Sequence, residues 1–110
     1  METLTETHAR AVARLGYALS DPGRARILVR LRAGAATPSD LVALLGASKQ
    51  AVSNHLACLR GCGLVEAERQ GRSQLYRLTW DGLAQAIDAL AALTLQVDPQ
   101  CCGPDGCRCP

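Results

Sequence analysis

Ser48-Lys-Gln-Ala-Val-Ser-Asn-His-Leu-Ala-Cys-Leu-Arg-Gly-Cys-Gly-Leu-Val65 decides the fold of this chain. Ser48 suits a helix N-cap, because its hydroxyl can accept a hydrogen bond from an early backbone N–H. Gly63 suits the stop, since glycine tolerates the left-handed conformation that ends many helices. Between them Val52, Leu56 and Leu59 recur at i, i+4 and i+7, which predicts one apolar stripe against a core. Lys49, Gln50, Ser53 and Asn54 fall off that stripe near the N-terminal end. Such donors and acceptors suit base edges and phosphates, and a helix N-terminus adds partial positive charge. An ordinary solvated face has the same composition.

The second half of the same helix carries Cys58 and Cys62, spaced i, i+4 and therefore on one face, with His55 close to it. Two thiolates one turn apart can share a metal ion. The plain alternative is a pair of small buried hydrophobes.

Working toward the N-terminus, Gly46-Ala47 reads as a tight turn. A short helix before it starts at Thr37-Pro38-Ser-Asp40, an N-cap followed by a first-turn proline and an acidic residue near the positive helix end. Leu41, Leu44 and Leu45 are its expected core side. Two helices joined by a short glycine turn form a helix-turn-helix, whose second helix reads the major groove. Residues about 4–19 read as the first helix, with Leu4, His8, Ala11, Val12, Leu15 and Leu19 on one stripe. Asp21-Pro22 starts the second helix, which runs to about Arg32 with Ile27, Leu28 and Leu31 inward and Gly34 closing it.

Working toward the C-terminus, residues 64–69 read as a strand, Gln70-Gly71 as a turn and 73–79 as the returning strand. Arg69, Arg72 and Arg77 lie on or beside this hairpin. A basic hairpin after a recognition helix suits a wing that holds phosphates or a minor groove. A plain surface hairpin is the alternative. Asp81 suits the cap of a last helix, about 82–97, with Leu83, Ile87, Leu90, Leu93 and Val97 in a stripe. The first and last helices have apolar surface to spare, which predicts a two-fold homodimer through them. The expected class is mainly α with a small β-hairpin: a winged helix-turn-helix over 1–97.

With 110 residues and a net charge of +2, the chain is one domain and no bulk polyelectrolyte binder. Eleven of its twelve basic residues are Arg, the better reader of phosphate and guanine, so their placement matters more than their sum. No basic-then-apolar leader and no membrane-length apolar run is visible, which predicts a cytoplasmic protein. Six cysteines in a reducing compartment point to metal or reactive thiols before disulfide staples. Four of them, Cys101, Cys102, Cys107 and Cys109, crowd residues 98–110 with three prolines and two glycines, a composition that predicts a flexible tail supplying metal ligands. No nucleophile–base–orienter set and no phosphate loop is present, so no enzyme is expected.

Leu19-Ser-Asp-Pro-Gly-Arg-Ala-Arg-Ile-Leu28, Ser53-Asn-His-Leu-Ala-Cys-Leu59, Gly63-Leu-Val65 and Gly71-Arg72 with Tyr76 together resemble the ArsR/SmtB family of winged-helix metal-sensing repressors, over about residues 10–97. Cys58 and Cys62 resemble its cadmium- and lead-responsive branch. That likeness implies metal binding by these two thiols and a third from the C-terminal region of the partner subunit, matched here by Cys102, or by Cys101 if the register differs by one. The Cys-Val-Cys-type motif found elsewhere in the family is absent. So is the His and Asp set of its zinc sensors, since Asp88 lacks a helical His partner. Cys107-Arg-Cys109 departs from the branch and leaves a fourth thiolate, a second site or a metal-capturing arm open.

The resemblance implies that the metal-free dimer binds operator DNA through Lys49, Gln50, Ser53, Asn54 and His55, with Arg69 and Arg72 on the backbone. Three thiolates favour Cd(II) or Pb(II), with As(III) also accommodated and Zn(II) preferring four tetrahedral ligands. Two rival readings are a thiol redox switch and a cytosolic metal-buffering protein.

Overall fold

The computed structural model describes residues 5–94, so Leu4, Val97 and the tail cysteines Cys101, Cys102, Cys107 and Cys109 lie outside the described residues. Five helices and one antiparallel hairpin follow in order: α1 (Glu6–Leu19), α2 (Pro22–Leu31), α3 (Pro38–Leu45), α4 (Lys49–Gly61), β1 (Val65–Gln70), β2 (Ser73–Leu78) and α5 (Asp81–Thr94). Among the described residues, no helix is long and apolar enough to cross a membrane.

Side chains chosen for capping set the helix starts. The Ser48 hydroxyl accepts from Ala51 N–H at 3.0 Å, and Asp21 Oδ2 accepts from Arg24 N–H at 3.0 Å. Thr37 and Asp40 cap α3 reciprocally. Helix α1 starts two residues later than expected, because Thr5 is its N-cap. His8, expected on the apolar stripe, instead turns back so that its Nδ1 accepts from Thr5 N–H at 3.1 Å.

The stops are equally local. Gly46 takes φ 62° after α3. Gly63 takes φ 76° after α4, where Leu64 N–H reaches the Leu59 carbonyl and Gly63 N–H the Arg60 carbonyl. That double bond pattern turns the chain sharply from α4 into β1.

One core joins all the elements. Ala18, Ile27, Leu28, Leu31, Leu41, Val52, Leu56, Leu59, Val65, Tyr76, Leu83 and Ile87 are buried together, so the stripes expected on α2 and α4 are the ones used. Leu44, expected in the core of α3, is exposed; Val42 and Leu45 pack there, and Arg26 Nη2 donates to the Leu44 carbonyl from outside. The hairpin pairs Val65 with Leu78 through Gln70 with Ser73, so its two-residue loop is Gly71-Arg72, one position beyond the expected turn. Ala36 and Tyr76 exchange both backbone hydrogen bonds, at 3.0 and 2.8 Å, which ties β2 to the loop entering α3.

Helix α2 is the hub. Arg24 crosses from it to the end of α1, donating to the Ala18 and Tyr17 carbonyls at 3.0 and 2.9 Å with its guanidinium over the Tyr17 ring. A cation there complements the negative helix end. Asp81 lies inside the first turn of α5 and not before it. Leu90 and Leu93 of the α5 stripe are exposed, as Val12 and Tyr17 are on α1, so both helices carry the apolar surface to spare that the sequence predicts.

Candidate functional site

Helix α4 is divided lengthwise into three flanks. At about 100° per residue, Lys49, Gln50, Ser53 and Asn54 share one flank, Val52, Leu56 and Leu59 a second, and His55, Cys58 and Cys62 a third. The second is buried, which fixes how the other two point.

On the first flank all four side chains are exposed. Gln50 Nε2 donates to Asn54 Oδ1 at 2.9 Å, so the pair keeps one free acceptor on Gln50 and free amide hydrogens on Asn54. Lys49 and Ser53 border a groove completed by Pro38 and Val42 of α3 and by Gln74 and Tyr76 of β2. Tyr76 donates its hydroxyl to Gln74 Oε1 at 3.0 Å, which leaves the Gln74 amide hydrogens facing outward. Gln74 is an exposed polar residue of this groove that sequence reasoning did not single out. Its signal was the polar place in an alternating strand, but only the Ala36–Tyr76 bridge, which ties β2 to the loop entering α3, reveals that it lines the groove beside α4.

The wing carries two kinds of arginine. Arg77 lies 3.1 Å from Glu66 and 3.1 Å from Glu68, so its charge is neutralised on the hairpin itself. Arg69 and Arg72 are exposed and, among the described residues, make no ion pair. They remain available for phosphates.

The third flank faces α1 and the start of α2. Cys58 and Cys62 are both half-buried and both free thiols. Cys62 lies at the margin of the core and lines an apolar depression with Arg14 and Leu15 of α1, Leu64, Trp80 and Leu83. Burial pushes the Cys62 thiol above its ordinary pKa. The charge and hydrogen bond of Cys58 push the same way, and Arg14 and Arg24 oppose. A thiol so shifted is a poor nucleophile near neutrality. Among the described residues, no third Cys, His, Asp or Glu joins the pair to make a metal-holding group. As a donor set the two thiols fit a soft ion that draws further ligands from elsewhere.

His55 does not join the exposed flank of Lys49, Gln50, Ser53 and Asn54. Its ring is turned toward α2, with Nε2 3.7 Å from Asp21 Oδ2, and its side chain is only 23% exposed. Asp88 of α5 is ion-paired with Arg32.

The profile of bacterial regulatory proteins of the arsR family matches residues 21–67, from the start of α2 into β1. Over 93 residues the chain is 50% identical to the HTH-type transcriptional regulator CmtR of Mycobacterium tuberculosis, covering 84% of this chain and 79% of that protein. The chain belongs to the ArsR family. Its fold follows that of other solved ArsR-family regulators. The NMR structure of the cadmium metal-sensor CMTR from Mycobacterium tuberculosis superposes with a TM-score of 0.64 at 52% identity, over 78% of this chain and 90% of that one. The homodimeric winged helix-turn-helix DNA-binding domain of a Mycobacterium bovis protein superposes with a TM-score of 0.74 at 28% identity, over 87% and 92%. The five helices and hairpin are thus a winged helix-turn-helix, with α3 and α4 as its paired helices and β1–β2 as its wing.

Proposed function

We propose that this chain is a metal-responsive transcriptional repressor. It binds operator DNA as a cytoplasmic homodimer when metal-free and leaves it once a soft thiophilic ion, Cd(II) or Pb(II), is held by its thiols. The observation that carries this reading is that one helix of thirteen residues bears the exposed polar flank and Cys58, with Cys62 as its C-cap one turn further on. The cadmium sensor among the relatives supports the choice of ion. As(III) accepts the same thiolates, and Zn(II) prefers a fourth ligand.

Residues 1–97 form the DNA-binding and dimerisation domain in this proposal, and 98–110 the ligand-bearing tail. Val12 on α1 and Leu90 and Leu93 on α5 belong to the face that meets a second copy, a reading supported by the homodimeric relative. The two copies of α4 then enter successive major grooves roughly 34 Å apart. Lys49, Gln50, Ser53 and Asn54 reach bases and phosphates, and Arg69 and Arg72 hold the backbone.

Cys58 and Cys62 supply two ligands, and Cys102 or Cys101 the third, with Cys107 and Cys109 able to add a fourth. The ion, when bound, supplies a cross-link between these thiolates. Cys58 and Cys62 lose their protons on ligation, so affinity falls as pH falls. Fixing the third flank of α4 constrains the rotation of the first, because both belong to one rigid helix. A coupling of about 1–3 kcal/mol is typical and reciprocal, so DNA weakens metal binding by the same factor. The raised pKa of Cys62 disfavours the redox alternative, since oxidation proceeds through the thiolate.

The test is a fluorescence-anisotropy titration of the reduced protein on a labelled fragment of its own promoter, with cadmium, lead, zinc and arsenite added in turn. Tight binding lost on adding one soft ion is expected. The double substitution Cys58→Ser, Cys62→Ser is expected to keep operator binding and lose the response; a retained response overturns the ligand assignment.

A further inference from the structure

We infer that Asp21, Gly23 and His55 form a clasp that sets the orientation of α4 on α2, and that His55 is a positioning residue for DNA reading and not a base contact. The inference rests on the repressor reading of the same helix. His55 stands two turns before Cys62, on the thiol flank, and the exposed flank of Lys49, Gln50, Ser53 and Asn54 lies on the far side of α4. Its Nε2 lies 3.7 Å from Asp21 Oδ2, the same oxygen that accepts from Arg24 N–H at 3.0 Å and caps α2. One carboxylate atom therefore serves the start of α2 and the middle of α4.

Gly23 makes the approach possible. A Cβ built there would stand 2.7 Å from His55 Nε2, closer than real Cβ atoms come, and 3.0 Å from Asp21 Oδ2 and 3.1 Å from His55 Cδ2, so the ring would have to shift. Gly23 is in the first turn of α2 and has no positive φ, so its backbone does not require glycine. The missing side chain serves the ring. The apolar stripe of α4 holds the helix against the core from one side. The polar contact of His55, off that stripe, adds a second point of attachment to α2. The thiols lie on the same flank, so ligand capture pulls along the row that the clasp holds.

Substitution separates positioning from contact. Gly23→Ala favours the helix while displacing the His55 ring from its place beside Asp21. A merely structural role predicts a more stable protein with unchanged DNA binding. The clasp predicts a more stable or equally stable protein that binds operator less well.

The experiment measures operator affinity of the metal-free full chain by anisotropy, on the parent operator and on a panel with single base pairs changed. His55→Ala is expected to weaken binding roughly tenfold, the size of a coupled contact, with the ranking of the panel unchanged. Gly23→Ala should weaken it in the same direction, and His55→Gln, which keeps a donor for Asp21, should restore most of the affinity. Loss of preference at one base pair in His55→Ala, with Gly23→Ala binding like the parent, overturns the inference and makes His55 a base reader. If the parent protein binds no promoter DNA, the repressor reading fails by itself. The clasp is then decided by thermal unfolding of Asp21→Asn, His55→Ala and the double variant. Asn keeps the cap, so non-additive shifts support the clasp and additive shifts overturn it.

Discussion

Arg32, which caps the end of α2, is ion-paired with Asp88 in the middle of α5, 56 residues further along the chain. The pair fastens the last helix to the hub of the fold, and it occupies the one carboxylate in the body of α5. Both side chains are about half exposed, which limits the gain to roughly 0.2–1 kcal/mol. Asp88→Asn is therefore expected to lower the melting temperature by a few degrees at low salt and by less at high salt. The metal response should be unaltered. Thermal melts at two ionic strengths check the first part, and the operator-release titration the second.

The cap of the reading helix offers a sharper test. Ser48 holds Ala51 N–H at the end of α4 that carries Lys49 and Gln50. Ser48→Ala leaves that donor open and is expected to cost about 1 kcal/mol of stability. Lys49 and Gln50 stand in the turn that frays, so operator affinity should fall while metal affinity at Cys58 and Cys62, two and three turns away, stays constant. Urea unfolding gives the stability change, and separate DNA and cadmium titrations give the split. Equal losses in both titrations would show that α4 unfolds as one piece.

The helix order, the caps Ser48, Thr37 and Asp21, the core leucines of α2 and α4 and the wing were legible because each depends on local chemistry at fixed spacing. Leu44 was misplaced because an apolar residue on a stripe is buried only if something covers it, and periodicity does not say what does. The contacts of His8 and His55 were not legible for a related reason. Each was assigned by its face alone, whereas their partners, Thr5 and Asp21, are caps whose free valences the sequence does not display. Gln74 was invisible because its importance comes from a two-residue bridge, Ala36 with Tyr76, formed between segments 40 positions apart. The Cys58–Cys62 pair was legible from spacing, and its asymmetry, with Cys62 against the core, was not.

The ionisable groups predict a stability curve that falls on both sides of neutrality. Asp21 is held below its ordinary pKa chiefly by the Arg24 backbone N–H, and Asp40 by the backbone and hydroxyl of Thr37. Each contributes stability that is present above the unfolded value of about 3.9 and is lost as pH falls through the lower folded value. Cys62 is shifted the other way by burial. Its contribution is complete below the ordinary thiol range of about 8–9 and is lost as pH rises through the higher folded value. Urea midpoints of the reduced, metal-free protein measured across pH should therefore drop at both ends. Asp21→Asn and Asp40→Asn, which keep the caps, should flatten the acid limb, and Cys62→Ser the alkaline one.

The exposed apolar surface sets the last prediction. Val12 on α1 is 66% exposed, Leu93 on α5 59% and Trp80 at the start of α5 59%, in a domain whose α2 and α4 bury every residue of their inward stripes. Isolated exposed leucines need no explanation, but apolar residues gathered on the first and last helices of one chain call for a covering surface. A second copy related by a two-fold axis covers both helices at once and places the two copies of α4 on one side of the pair. Leu93→Glu introduces a charge that such an interface cannot hydrate, and buried unpaired charges cost several kcal/mol. Light scattering should then find the parent as a dimer and Leu93→Glu as a folded monomer with native helicity by circular dichroism. In the proposed function each copy reads half of a palindromic site, so the monomer should bind operator at least a hundredfold more weakly, the order expected when two linked contacts become one. Trp80 is the only tryptophan, so its emission should shift to the red on going from parent to monomer if α5 is covered in the dimer. An unchanged emission with a confirmed change in mass would place the dimer contact on α1 and the far end of α5, away from Trp80.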